Sequence, residues 1–207
     1  MSNNLFTQTP KFIQKFFPSV TWRKENNQNN IWLTFDDGPE PEVTPFILNI
    51  LNEENIKATF FLIGQQMEKY PDLVKKIIKN GHIIANHSYS HKNGWKSKHA
   101  NYINDIEKCQ NLMPRNKLFR PPYGKISPWQ ISSLKKKYKI ILWDVLSWDF
   151  CLKNNPHAVK ETILNNTTSG SIIVLHNNNK SFKNLKPILK ETIQTLKEKG
   201  YFFSTTW

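Results

Sequence analysis

Ile31-Trp32-Leu33-Thr34-Phe35-Asp36-Asp37-Gly38-Pro39 is an apolar run that ends in two carboxylates and a turn. The run reads as a buried strand, and Asp-Asp-Gly-Pro as the loop that leaves it. The same pattern recurs three times. His82-Ile83-Ile84-Ala85-Asn86 runs into His87-Ser88-Tyr89-Ser90-His91, Lys117-Leu118-Phe119 runs into Arg120-Pro121-Pro122-Tyr123-Gly124, and Ser171-Ile172-Ile173-Val174-Leu175 ends at His176. In barrels of parallel strands, the C-terminal strand ends converge on one mouth, and catalysis sits there. The pattern therefore predicts one site built from distant pieces of chain, rich in metal ligands and proton-transfer groups.

Helical patterns separate these strands. Residues 41–52 place Val43, Ile47, Ile50 and Leu51 at helical spacing, and residues 71–79 do the same with Leu73, Val74, Ile77 and Ile78 before a stop at Asn80-Gly81. Further helices are expected over 101–113 (closed by Pro114), 127–137 (Ser127 as N-cap, Pro128 first), 156–165 and, as one long amphipathic element, 185–199. Strands are expected at 57–63, 138–143 and 201–203. Strand and helix alternate to the end of the chain, which argues for an α/β fold with a parallel sheet. About seven strand–helix units suggest a short (β/α)7–8 barrel rather than an open doubly wound sheet. Residues 1–30 read as an N-terminal extension packing on or near the barrel, and 31–207 as a single catalytic domain. No Gly-rich phosphate loop follows any strand, so nucleotide binding has no support.

Bulk composition narrows the classes. With 207 residues, 38% hydrophobic and 13% aromatic, the chain can bury one core. The net charge of +13 could face an anionic polymer or membrane, but the lysines scatter over 75–79, 135–139 and 186–199, as on solvated faces of separate helices. No nucleic-acid-binding signature occurs. Cys109 and Cys151 are too few for a disulfide framework and read as free thiols. No signal-peptide pattern and no run of roughly 18 apolar residues is present, so a cytoplasmic or peripheral location is expected. Phe12, Ile13, Phe16 and Phe17 form a short amphipathic turn, which would pack on the barrel bottom or make weak contact with a membrane surface.

The polar clusters suggest their own chemistry. His87 and His91 are four apart, and on a helical turn they would share a face and one metal ion. Asp36 and Asp37 would point in opposite directions on an extended backbone, one as ligand and one as proton acceptor. Each has a plainer alternative. Asp-Asp-Gly-Pro can be a simple turn, Arg120 can be a surface salt bridge, and His176 can be a satisfied core residue. Trp143-Asp144 and Trp148-Asp149-Phe150 put carboxylates and rings near another strand end, where rings floor a sugar groove or simply pack. His82, His99 and His157 match no constellation.

Together, Thr34-Phe35-Asp36-Asp37-Gly38-Pro39, His87-Ser88-x-x-His91, Arg120-Pro121-Pro122-Tyr123 and Val174-Leu175-His176 resemble the ordered motifs of NodB-homology polysaccharide deacetylases, carbohydrate esterase family 4. The resemblance runs from about Ile31 to about Phe203. It implies a distorted (β/α) barrel that removes acetyl groups from N-acetylglucosamine polymers with a divalent metal, usually zinc, with cobalt or another divalent ion also fitting. It implies Asp37, His87 and His91 as metal ligands, Asp36 as general base, Arg120 as its holder and His176 as general acid. It further implies Asp149 as the carboxylate orienting that histidine, and the Tyr123 backbone as an oxyanion donor. Pro121, Tyr123, Phe150 and Val174 would touch substrate. The chain departs from the family pattern at Phe150, where tryptophan is usual, at Val174 and at Asn177. Alternatives are an O-acetyl (xylan-type) esterase of the same family and a non-catalytic glycan-binding module. The facial triad of a non-haem iron oxygenase is a third, but such sites need no separate base and acid.

Overall fold

The computed structural model describes residues 7–113 and 116–207. Pro114, expected to close a helix, and residues 1–6 of the extension lie outside them. The strands are β1 (Val20–Thr21), β2 (Asn30–Asp37), β3 (Thr59–Leu62), β4 (Ile83–Asn86), β5 (Leu118–Phe119), β6 (Lys139–Ile141), β7 (Val145–Leu146), β8 (Ile172–His176) and β9 (Phe202–Phe203). The helices are α1 (Lys11–Phe16), α2 (Val43–Glu53), α3 (Gly64–Lys69), α4 (Pro71–Lys79), α5 (His99–Gln110), α6 (Pro128–Leu134), α7 (Pro156–Asn166), α8 (Asn179–Leu185) and α9 (Leu189–Glu198). Among the described residues the strands form one curled sheet in the order β1-β6-β5-β4-β3-β2-β8-β7, with β9 added beside the start of β2. All ladder pairings are parallel.

Alternation along β2 sorts its side chains. Ile31, Leu33 and Phe35 point outward and pack with Val43, Ile47 and Leu51 of α2 and Ile193 and Leu196 of α9. Phe35 stacks on Phe60 with centroids 5.2 Å apart. Trp32 points inward to join Phe61, Ala85, Leu118, Ile141 and Ile172. Both faces are buried, which is why the strands read as continuous apolar runs. Trp207 plugs the interior from below, its indole N–H donating to Thr59 Oγ1 at 2.9 Å.

The sheet's edges are β1 and β7, and the segment before β2 spans them. Gln8 bridges Val145 of β7, and Leu146 N donates to Thr7 O. The same segment then supplies β1, which pairs with β6. Arg23 ties it down on Asp144 at 2.8 Å. Edge backbone groups that would otherwise be open are thereby paired. Phe12 and Phe16 of α1 are 63% and 78% exposed.

The expected helix over 185–199 begins later, at Leu189, and Leu185 closes a separate helix, α8. Pro187 lies between α8 and α9; it lacks an N–H and crowds the preceding turn, so the first helix ends and a second starts at Leu189. α8 also begins earlier, where Asn178 caps it by accepting from Ser181 N. The short, polar α3 has no apolar periodicity to announce it. It starts at Gly64, where a Cβ would lie 2.6 Å from the Tyr89 ring. The capping box at Ser127, with Gln130 bonding back, matches the expected start of α6. Cys109 and Cys151 are free thiols. Among the described residues no helix is long and apolar enough to cross a membrane.

Candidate active site at the strand ends

β2 delivers both carboxylates to the mouth. Asp36 continues the inward alternation, but Asp37 leaves extended geometry at φ 81°. The result differs from the opposite-facing pair expected of an extended strand. Asp36 Oδ2 lies 3.9 Å and Asp37 Oδ1 3.6 Å from His87 Nε2. The two histidines also differ from expectation. They sit on an irregular loop after β4 rather than a helical turn, with Ser88 at φ 63° and His91 at φ 55°. Tyr123 and Trp148 share this left-handed region at φ 60°. Such strain costs on the order of 1–3 kcal/mol per residue and persists where the surroundings impose it. Five of the seven non-glycine examples among the described residues fall at this mouth, and the other two are asparagines, which tolerate it.

The donor set suits a divalent metal. Ligand atoms of Asp37, His87 and His91 all lie within 4.8 Å of one another. His91 Nε2 is 3.2 Å and His87 Nε2 3.6 Å from Asp37 Oδ1. Tetrahedral coordination at bonds of about 2.0–2.1 Å needs donors about 3.3 Å apart, close to this spacing. The Arg120 carbonyl accepts from His87 Nδ1 at 2.8 Å, which leaves the Nε2 lone pair facing Asp37. His91 Nδ1 meets the Tyr123 hydroxyl at 3.0 Å. Asn178 Nδ2 donates to Asp37 Oδ2 at 2.5 Å, leaving Oδ1 for the donor cluster. Burial would raise the Asp37 carboxyl, but the His91 hydrogen bond and the charges of His176, His87 and His91 hold it well below the usual carboxylate range. Burial pushes His87 down to about 4, against the pull of Asp36, so it is neutral and ligand-ready at pH 7.

Two further assemblies border the donors. Arg120, fully buried, reaches across the barrel interior from the end of β5. Its Nη1 donates to Asp36 Oδ1 at 2.6 Å and Thr34 Oγ1 at 2.7 Å, and its guanidinium lies 4.0 Å over the Phe61 ring. Asp36 Oδ2 is left toward the cavity. On β8, His176 is in register with Asp36 of β2. Its Nδ1 donates to Asp149 Oδ1 at 2.7 Å, and its backbone N–H to Asp149 Oδ2 at 2.7 Å. Ser147 Oγ adds a third bond to this fully buried carboxylate at 3.0 Å. Burial would lower His176, but the charge and hydrogen bond of Asp149, helped by Asp37 and Asp36, raise it to about 9.

Arg120→Met is expected to cost about 3–5 kcal/mol by stranding the Asp36 charge. For a chain of this size that lowers Tm by roughly 6–20 °C. Thermal denaturation of the metal-free variant checks it, and a drop of only a degree or two would show that the Asp36 charge is not stranded.

A cavity of about 410 Å³ joins these groups. It is lined by Asp36, Asp37, His87, His91 and His176, with Tyr123, Trp143, Leu146, Trp148, Phe150 and Val174 as walls and Asn178 and Lys180 at the side. Phe150 stands edge-on to His176, with centroids 4.9 Å apart. Pro121 is buried and is not among the residues that line the cavity, its carbonyl accepting from Gly124 N at 3.0 Å. Trp143 and Asp144 part company: the ring lines the cavity, while the carboxylate turns to Arg23 and Ser171. Asn178 and Ser147 have roles here that no motif announced, whereas the Trp148 ring lines the cavity as its place beside a strand end suggested. Asn178 lies in a run of three asparagines whose only local signal is that it follows His176.

A three-donor metal site beside an arginine-held carboxylate and an aspartate-held imidazole, at the mouth of a parallel half-barrel, defines a metal-dependent hydrolase. The polysaccharide deacetylase family model matches residues 23–138, and the chain belongs to that family. It is 37% identical over 188 residues to a peptidoglycan-N-acetylglucosamine deacetylase of Bacillus cereus, covering 86% of this chain and 67% of that one. A second Bacillus cereus protein of the same name is 34% identical and covers 90% of each. The fold superposes on the crystal structure of the Bc1960 peptidoglycan N-acetylglucosamine deacetylase with TM-score 0.87 at 34% identity, covering 95% of this chain and 94% of that chain.

Proposed function

We propose that the chain removes acetyl groups from N-acetylglucosamine residues of a poly- or oligosaccharide, with a divalent metal, zinc foremost, held by Asp37, His87 and His91. The observation that carries this reading is the joining of the donor triad, the Arg120-held Asp36 and the Asp149-held His176 in one cavity. Two imidazoles and one carboxylate, with room for further ligands, suit catalytic zinc. The relatives named above support the glycan class.

When bound, the metal would polarise the acetyl carbonyl and acidify the attacking water. Asp36 takes that water's proton on Oδ2, since Arg120 holds Oδ1. The Tyr123 N–H donates to the oxygen that gains charge as the water adds. His176 gives its Nε2 proton to the sugar nitrogen as the C–N bond breaks, and acetate and a free amine leave. Asp149 holds Nδ1–H and keeps the ring charged until that transfer. Phe150, Val174, Leu146 and Trp148 enclose the acetyl methyl.

The test is acetate release by metal-stripped protein, with zinc, cobalt or iron restored, on N-acetylglucosamine oligomers beside O-acetylated xylan. Stripping is expected to abolish release, and zinc or cobalt to restore it on the N-acetylated substrate. Release from xylan alone would make the chain an O-acetyl esterase. Sugar binding without acetate from either would make it a glycan-binding module.

A further inference from the structure

The segment between the two ligand histidines adopts a shape its residues do not favour. Ser88 and His91 both have positive φ, and neither is glycine. Something outside the segment must hold it. On one side, Gly64 N and Gln65 N at the start of α3 donate to Ser88 O and Tyr89 O at 3.0 and 2.9 Å. On the other side is a single carboxylate, Asp105, midway along α5.

Asp105 is 7% exposed. Its Oδ2 accepts from the successive backbone N–H groups of Tyr89 and Ser90, each at 3.0 Å. Its Oδ1 accepts from Ser90 Oγ at 2.7 Å and Lys92 Nζ at 3.1 Å. Consecutive N–H groups turned to one side form a concavity that favours an anion, and here the anion is built into the protein. Burial alone would raise this carboxyl, but the Ser90 and Lys92 contacts hold it below its usual range, so it is ionised at neutral pH.

We propose that Asp105 is the positioning residue of the metal site: it clamps residues 89–92 against α5 and so sets where His91 stands relative to His87 and Asp37. It touches neither metal nor substrate. Its effect falls on metal affinity, because without it the loop must be ordered at the expense of binding. Once metal is saturating, the ligands themselves order the loop, and turnover recovers toward wild type. A brace that served only stability would move Tm and leave metal affinity alone.

The experiment is competition for cobalt or zinc with a chromophoric chelator, run on wild type and Asp105→Asn beside their melting curves. Asparagine keeps the size but loses the charge and cannot accept at both oxygens. Direct outer contacts of metal ligands are worth about 10–100-fold in affinity. Asp105 holds the residues beside His91 and not its ring, so a weakening at the low end of that range, about 10-fold, is expected, with kcat at saturating metal much less affected. A folded Asp105→Asn that binds metal within about twofold of wild type would overturn the proposal. Should Asp105→Asn not fold, Ser90→Ala removes only the hydroxyl bond. It is expected to weaken metal binding about threefold, and unchanged affinity there would overturn the proposal too. The inference rests on the metal triad and not on the substrate. A protein that binds cobalt tightly but releases no acetate defeats the deacetylase reading, whereas unchanged affinity in the variants defeats this one.

Discussion

Asp36→Asn is expected to leave the metal bound and lower kcat by about 10²–10⁴-fold, the range over which a positioned base contributes. Arg120 takes Oδ1 at 2.6 Å, so one oxygen of Asp36 is committed and Oδ2 faces the cavity. An asparagine in the same rotamer offers Arg120 its carbonyl and presents an NH₂ group to the attacking water. A donor then stands where a proton acceptor is needed. Asp36 is not among the three donors, so metal affinity should fall only by the loss of one nearby anion, Oδ2 being 3.9 Å from His87 Nε2. Metal titration and turnover on an N-acetylglucosamine oligomer, measured on the same preparation, check both halves. A variant that kept more than about a tenth of wild-type kcat would place the base elsewhere. The Arg120 charge loses its partner in this variant, so a melting curve must accompany the assay.

The convergence of Asp36, His87, Arg120 and His176 was legible for one physical reason. Each ends a strand buried on both faces, and such strands are unbroken apolar runs whose terminations stand out. Parallel pairing then carries all four ends to one side, so their convergence needed no distance information. What could not be read is set by geometry that periodicity does not encode. The turn of Asp37 at φ 81° brings two adjacent carboxylates to the same mouth, contrary to the alternation of an extended chain. The loop carrying His91 is likewise non-helical, and its shape depends on Asp105 fifteen residues after Ser90. Asn178 meets Asp37 across 141 residues of sequence. The late start of the last helix follows from Pro187, which lies inside the apolar period that runs over 185–199. The two-residue strands β1 and β7 are too short for any period to show, yet the segments around them span the barrel's seam.

Alkaline pH should remove activity by taking the proton from His176, and Asp149→Asn should move that loss toward the ordinary imidazole range. Burial opposes the charged ring, but Asp149 outweighs it and, with Asp37 and Asp36, brings the group to about 9. In wild type His176 is therefore protonated at neutral pH, as a general acid must be. Bound metal cancels part of the Asp37 and Asp36 contribution, so in the loaded enzyme the alkaline limb of kcat/KM should lie between the ordinary imidazole value of 6.5 and about 9. Asp149→Asn removes the largest raising influence, and the ring then loses its proton near or below neutrality. Turnover at pH 8 should fall by about 10²-fold or more, approaching that of His176→Ala. Stability carries the same sign. A pKa raised from 6.5 to about 9 in the folded state stabilises fully below 6.5 and ceases to do so as pH climbs through 9, a contribution on the order of 3 kcal/mol. The metal-free wild type should therefore exceed Asp149→Asn in stability most at pH 6, and the gap should narrow by pH 10. Denaturant melts at the two pH values measure it. A gap that widened toward pH 10 would mean that Asp149 does not raise His176, and an alkaline limb unmoved by Asp149→Asn would mean that some other group supplies the proton to the leaving nitrogen.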